Sequence, residues 1–203
     1  MIVAGAGGHA LELLDILISV GKTENLFFFD EINPRGFFQH KYPILHSEEQ
    51  VKAHFEEDPY FFLGVGNPQV RNQFYQRFTH LGGKLVTVRG KGVNYSNFSK
   101  GSEADVFNLC FIGPNTKLGI GSLINTGAHV HHEVEIGAFS VINPAAVLLG
   151  ACQVGDFSSI GANATILPGV KIGHQVTIGA GAVIIQNVPD GIKVVGVPGR
   201  KLV

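Results

Sequence analysis

Two groups of residues in this 203-residue chain have types and spacings suited to chemistry. The first is Gly5-x-Gly7-x-x-Ala10, placed after the short apolar run Met1–Ala4, with Asp30 twenty residues beyond Ala10. A glycine turn of this kind lets backbone N–H groups and a helix N-terminus hold a diphosphate. The acidic residue at the end of the next strand can take a ribose hydroxyl or a base edge. The plainer alternative is a pair of glycines that merely closes a strand–helix turn, with His9 an exposed helix-start residue rather than a diphosphate contact. The second group is His129, His131 and His132, followed by Glu133. Three histidines suggest a metal, yet no cysteine accompanies them and positions 129 and 132 flank Val130 on opposite sides, so ligand count and geometry argue against a metal site. His129 and His131 are read as solvated or subunit-contact residues, and His174, with no acid beside it in sequence, as a surface histidine. Cys110 and Cys152 are read as small core residues that do not pair.

The elements that must position these groups divide the chain in two. From Val106 an aliphatic residue returns every six positions through Ile112, Leu118, Ile124 and onward to Ile184, fourteen times without a miss. Glycine often follows the aliphatic, as at Gly113, Gly137 and Gly155, and a small or β-branched residue stands four after it, as at Thr116, Ala128 and Ser158. A helix needs a period of 3.6 and a simple strand a period of two. A six-residue period means short strands and tight turns, three to a coil of about 18 residues, stacked at about 4.8 Å. The glycine is expected to relieve the turn backbone, and the small residue to fit a narrow interior. By this register His132 lies at a turn corner, two residues after inward Val130, where its ring can face out.

Residues 1–88 alternate strand and helix signals, as a small parallel α/β domain does. A helix ending near Val20 is expected to bury Leu11, Leu14, Leu17 and Ile18. Ser47-Glu48-Glu49-Gln50 reads as a capping box and Asn67-Pro68 as another helix start. Only one mononucleotide half is present, so a nucleotide other than NAD suits the domain, and an NAD-dependent oxidoreductase is disfavoured. Residues 89–105 are read as the connection, and 106–203 as the coiled domain with its C-terminal tail. The 27 glycines do not signal disorder, because 45% of residues are hydrophobic and only 15% charged. A net charge of -1 with no basic block leaves no footprint for nucleic acid. No apolar run has the length of a membrane span. The opening residues lack a basic region and a cleavage site, so a cytoplasmic protein with reduced thiols is expected.

Taken together, the two halves resemble the bacterial hexapeptide-repeat sugar acyltransferases, of the sialic acid O-acetyltransferase and bacillosamine-pathway N-acetyltransferase type. The matching pieces are Gly5-Ala6-Gly7-Gly8-His9, Phe29-Asp30, Gly66-Asn67 with Arg71, Asn125-Thr126-Gly127-Ala128, His132-Glu133 and Gly196-Val197-Pro198-Gly199-Arg200. The resemblance implies a half-Rossmann-like α/β domain joined to a left-handed parallel β-helix. It implies transfer of acetyl from acetyl-CoA to the amine of a nucleotide-linked amino sugar, for surface glycan synthesis, with no metal. His132 is the implied general base and Glu133 its partner. Gly7, Gly8, His9, Asp30 and Asn67 are the implied nucleotide-sugar contacts. Ala145, Ala162 and Ala180 would let the pantetheine of CoA approach the backbone, while Arg200 and Lys201 either meet its phosphates or form a solvated tail. Pro144 has no N–H, so an oxyanion donor is expected from a neighbour such as Ala145. A homotrimer with interface active sites follows from the same likeness, and Val141 stands where several members carry a second histidine. O-acetylation of a sugar is the nearest alternative, and a non-catalytic hexapeptide-repeat binding protein the more distant one.

Overall fold

The computed structural model describes residues 1–101 and 103–202. They fall into two compact units, Met1–Thr87 and Val88–Val203.

In the first unit β1 (Ile2–Ala4), α1 (Gly8–Ser19), β2 (Phe27–Phe29), β3 (Phe37–Phe38), β4 (Tyr42–Leu45), α2 (Glu48–Glu57), β5 (Tyr60–Leu63), α3 (Pro68–His80) and β6 (Lys84–Leu85) follow one another. The sheet order is β3-β4-β2-β1-β5-β6, parallel except for the β3–β4 pair. The chain therefore leaves β1 on one side for β2 and returns on its other side as β5. Such a reversal opens a crevice at the carboxyl ends of the two strands. Helix α1 buries Ala10, Leu13, Leu14, Ile16 and Leu17, whereas Leu11 and Ile18, expected inside, are exposed. Asp15 shares their stripe at i+4 and i−3, which turns that stripe to water. Ser47 caps α2 by accepting the Gln50 N–H, and Asn67 caps α3 by accepting the Val70 N–H at 3.1 Å. Between sheet and helices, Phe29, Phe55, Phe61 and Phe74 set edges against the Phe78 ring at centroid distances of 5.3–5.8 Å.

The second unit is a left-handed parallel β-helix with three walls. Wall one runs from Asp105–Val106 through Val141–Ile142 to Lys193–Val195; wall two from Asn94–Tyr95 through His129–Val130 to Val183–Ile184; wall three from Lys117–Leu118 to Lys171–Ile172. Partners in adjacent coils are 18 residues apart, as Leu123 on Val141 and His129 on Val147. All fourteen aliphatic hexad residues are buried, as are the small ones from Cys110 to Ala182. The thiols of Cys110 and Cys152 remain free, and burial pushes them up to about 11 and about 12.

Two expectations change here. Of residues 89–105, read as a connection, the described ones are already coiled: Arg89 bridges Val106, Asn94 pairs with Phe111 and Lys100 bridges Lys117, each 17 residues apart. One residue fewer per coil hides this rung from a strict six-residue count. The glycine after each aliphatic also has a different reason. Those glycines are not in the left-handed region; a Cβ on Gly113, Gly119 or Gly155 would lie 2.6–2.7 Å from the backbone of the next coil. Left-handed backbone falls two residues later, at Asn115, Glu133, Ala145 and Ala151 with φ of 56–60°. The turns bend there without needing glycine.

Candidate active site

Each corner of the β-helix carries one turn residue per coil, so side chains 18 apart stack in columns. After wall two the column is Pro114, His132, Gly150 and Pro168. His132 Nδ1 lies 3.0 Å from Glu133 Oε2, and both side chains are well exposed. A carboxylate at Nδ1 fixes the tautomer that leaves the Nε2 lone pair free. The ring lies over Gly150: any Cβ there would fall closer than 3.0 Å to Cε1 and Nε2. Sequence reasoning missed Gly150, although it stands one 18-residue coil beyond His132 and is the column's one glycine. Its N–H has no acceptor among the described residues. The Ala145 N–H, by contrast, donates to Thr126 O at 3.0 Å, so the expected oxyanion donor is already engaged. Val141 is buried.

The two other histidines of the cluster face outward around the Phe111 ring, with His131 at 5.5 Å and His129 at 6.2 Å between centroids. Burial, then the neighbouring His129 and His132, holds His131 below the usual imidazole range. No cluster of three or more potential metal ligands forms among the described residues. His174 does have an acid, one coil away: its Nδ1 lies 3.4 Å from Asp156 Oδ2 and accepts the Asp156 N–H at 2.9 Å. An Nδ1 that accepts puts the proton of a neutral ring on Nε2, so His174 lacks the free Nε2 lone pair that Glu133 leaves in His132.

Ala162 and Ala180 stack 18 residues apart on the corner after wall one, in a column with Pro144 and with Ala145 one residue beside it, separate from the His132 corner. Ala162 is half-buried and the other two are exposed. Arg200 and Lys201 form a short strand antiparallel to Lys193–Val195 and line a cavity of about 320 Å³ at that end of the β-helix. A single chain thus brings His132 and Glu133 together, and the three alanines together, but not the two sets.

In the first unit, Gly5, Gly7, Gly8, His9, Asp30 and Asn67 all line one cavity of about 490 Å³ at the carboxyl ends of β1, β2 and β5. Gly5 takes φ of 113°, and a Cβ there would also meet Val65 at 2.8 Å. Helix α1 starts after Gly7 without a side-chain cap and without an acid in its first turn, so its N-terminal end, with its positive dipole, meets the cavity. Behind the lining, Arg71 is fully buried and donates to Leu63 O at 3.1 Å and to the O of Val65, a lining residue, at 2.9 Å. His9 is not an exposed helix-start residue. Burial, with Arg71 adding to it, lowers its pKa to about 4, so it is neutral at pH 7. Asp30, expected to meet the nucleoside, also binds its own loop. Its carboxylate accepts the Ile32 N–H at 2.9 Å, the Asn33 N–H at 3.2 Å and Asn33 Nδ2 at 2.7 Å. Burial alone would raise its pKa, but these bonds and His46 hold it below the usual carboxylate value. These bonds fix the loop that lines the cavity.

A glycine-turn cavity on an α/β unit and an oriented His–Glu pair on a hexapeptide β-helix define an acyltransferase of the hexapeptide-repeat class. Residues 1–78 match the PglD N-terminal domain family, and residues 151–186 the bacterial transferase hexapeptide family (six repeats). The two matches fall one in each half of the chain and agree with the resemblance to the bacterial hexapeptide-repeat sugar acyltransferases. Among solved structures it is similar to the acetyltransferase domain of PglB from Neisseria gonorrhoeae in complex with acetyl coenzyme A, at 29% identity and TM-score 0.92, over 99% of this chain and 98% of that one. It is also similar to PerB from Caulobacter crescentus in complex with CoA and GDP-perosamine, at 26% identity and TM-score 0.90, over 100% of this chain and 96% of that one. WeeI from Acinetobacter baumannii shares the fold at 19% identity, with a TM-score of 0.65 over 99% of this chain and 98% of that one. No helix among the described residues is long and apolar enough to cross a membrane.

Proposed function

We propose that this protein transfers the acetyl group of acetyl-CoA to the amine of a nucleotide-linked amino sugar, with His132 as general base. The observation that carries the reading is the His132 ring, oriented by Glu133 at 3.0 Å and laid over an unsubstituted Gly150. The likeness to PglB bound to acetyl coenzyme A and to PerB bound to CoA and GDP-perosamine supports the choice of donor and acceptor.

In this reading the neutral amine attacks the thioester carbonyl, forming the C–N bond. His132 Nε2 takes the amine proton as the tetrahedral oxyanion forms, and Glu133 stabilises the resulting imidazolium. The Gly150 N–H, without an acceptor among the described residues and under the base, serves as the oxyanion donor. Collapse breaks the C–S bond, and the CoA thiolate takes the proton back from the imidazolium. Gly7, Gly8 and the start of α1 hold the diphosphate of the acceptor, with Asp30 and Asn67 around its nucleoside. Ala145, Ala162 and Ala180 form the low surface along which CoA lies, with Arg200 and Lys201 toward its phosphates. Because these alanines and His132 occupy different corners of one chain, a complete site requires a second subunit; a homotrimer of cyclic symmetry supplies it.

The test is acetyl transfer from acetyl-CoA to a panel of UDP-, GDP- and dTDP-linked amino sugars, with the product identified by mass spectrometry. His132→Ala is expected to lower kcat by roughly 10²–10⁴-fold while CoA still binds. Full activity in that variant removes the base assignment. An ester in place of an amide product shifts the reading to sugar O-acetylation.

A further inference from the structure

The nucleotide cavity has an electrostatic problem. Two carboxylates, Asp30 and Glu31, line it, and a nucleoside diphosphate would bring two or more further negative charges. The α1 N-terminus answers part of that charge, but the cations near the cavity are already committed. Arg77 is held by both Glu31 and Glu48. Arg71 is buried with its guanidinium on the Leu63 and Val65 carbonyls. His9 is neutral at pH 7. None of the first unit's lysines lines the cavity.

Arg35 is the remaining arginine of this unit. It stands on the loop between β2 and β3 and lines a second cavity of about 300 Å³. That cavity shares Ala6, Gly7, Gly8 and Asn33 with the first. The two spaces meet over the glycine turn, so a ligand that fills the larger one and lays its phosphates on that turn comes up against the side that Arg35 lines. Arg35 is exposed and has no acidic partner among the described residues. Asn33 ties the loop down through Asp30, which places Arg35 two residues from a fixed point.

We infer that Arg35 is the diphosphate-binding cation of the nucleotide site, reaching the glycine turn from the loop beside the first turn of α1. The inference rests on the nucleotide-sugar reading and adds to it the residue that selects a diphosphate over an uncharged nucleoside. A guanidinium is suited to the task because its planar fork can bridge two phosphate oxygens, whereas an ammonium offers a point charge.

Calorimetric titration of the full chain with UDP, GDP and dTDP, and with uridine, guanosine and thymidine, tests this. For the diphosphate that the wild type binds most tightly, Arg35→Ala should raise Kd roughly tenfold and flatten its salt dependence. Arg35→Lys should fall between the two, and the matching nucleoside should bind all three proteins alike. Unchanged diphosphate affinity in Arg35→Ala overturns the inference while leaving the nucleotide site in place. An equal loss for nucleoside and diphosphate overturns it too, since Arg35 would then shape the cavity rather than meet phosphate. Failure of the wild type to bind any diphosphate removes the nucleotide reading, and Arg35 with it. Circular dichroism and a thermal melt check that each variant keeps the wild-type fold.

Discussion

At the scale of single residues, the site depends as much on what is missing as on what is present. Gly150→Ala leaves His132 and Glu133 in place but puts a methyl where the imidazole lies. The ring must swing away, so kcat should fall by at least tenfold with little change in the affinity for CoA, as steady-state kinetics and CoA titration would show. His9 gives a second prediction, in stability. Its folded pKa of about 4 lies below the unfolded value of 6.5, so the unfolded chain binds more protons between those two values. The stability due to neutral His9 is therefore present above pH 6.5 and lost as pH falls toward 4, on the order of 3 kcal/mol at most. Melting temperatures of wild type and His9→Gln should converge or cross as pH is lowered from 7.5 to 4.5; parallel curves would remove this assignment. The His132–Glu133 pair was legible as adjacent letters. The bonds that Asp30 makes to its own loop were not, because they depend on a turn whose geometry the letters Asp-Glu-Ile-Asn do not fix.

Among the elements, the β-helix separates two uses of glycine that look alike in sequence. Gly155 lies where a Cβ would press on the Gly173 backbone at 2.7 Å, in a stack that cannot spread without breaking rungs on all three walls. Gly169 has φ of 71° with open space around it, a conformation that Ala145 and Ala151 adopt with side chains attached. Gly169→Ala should cost about 1 kcal/mol and Gly155→Ala about 2–3 kcal/mol, measured by chemical unfolding of the coiled unit's transition. The six-residue period made this prism readable from Val106 to Ile184 because every inward position repeats. Its first and last rungs were hidden because they step by 17 residues at Asn94–Phe111 and 16 at Thr177–Lys193, which breaks the count without breaking the pairing. In the α/β unit, Leu11 and Ile18 misled for a related reason: α1 has more apolar residues than its buried face can take, and only the polar stripe through Asp15 decides which ones stay out.

For the whole molecule, the separation of His132 from the corner that carries Ala145, Ala162 and Ala180 makes the proposed assembly testable. If each site takes its base from one subunit and its CoA surface from the next, His132→Ala and Ala162→Trp should each be inactive alone. Mixed at equal amounts under conditions that let subunits exchange, they should regain roughly a quarter of wild-type activity. No recovery, despite mixed trimers seen by native mass spectrometry, would place the whole site in one chain. The short return of Arg200–Lys201 along Lys193–Val195 has a separate consequence for the protein in a crowded cell. A coil of identical parallel rungs is its own template, and a bare terminal rung invites the next molecule to add one more, end to end, into a filament. On wall one, an antiparallel, basic strand laid against the final rung offers the wrong direction and the same charge to any copy approaching that edge, which works against end-to-end growth there.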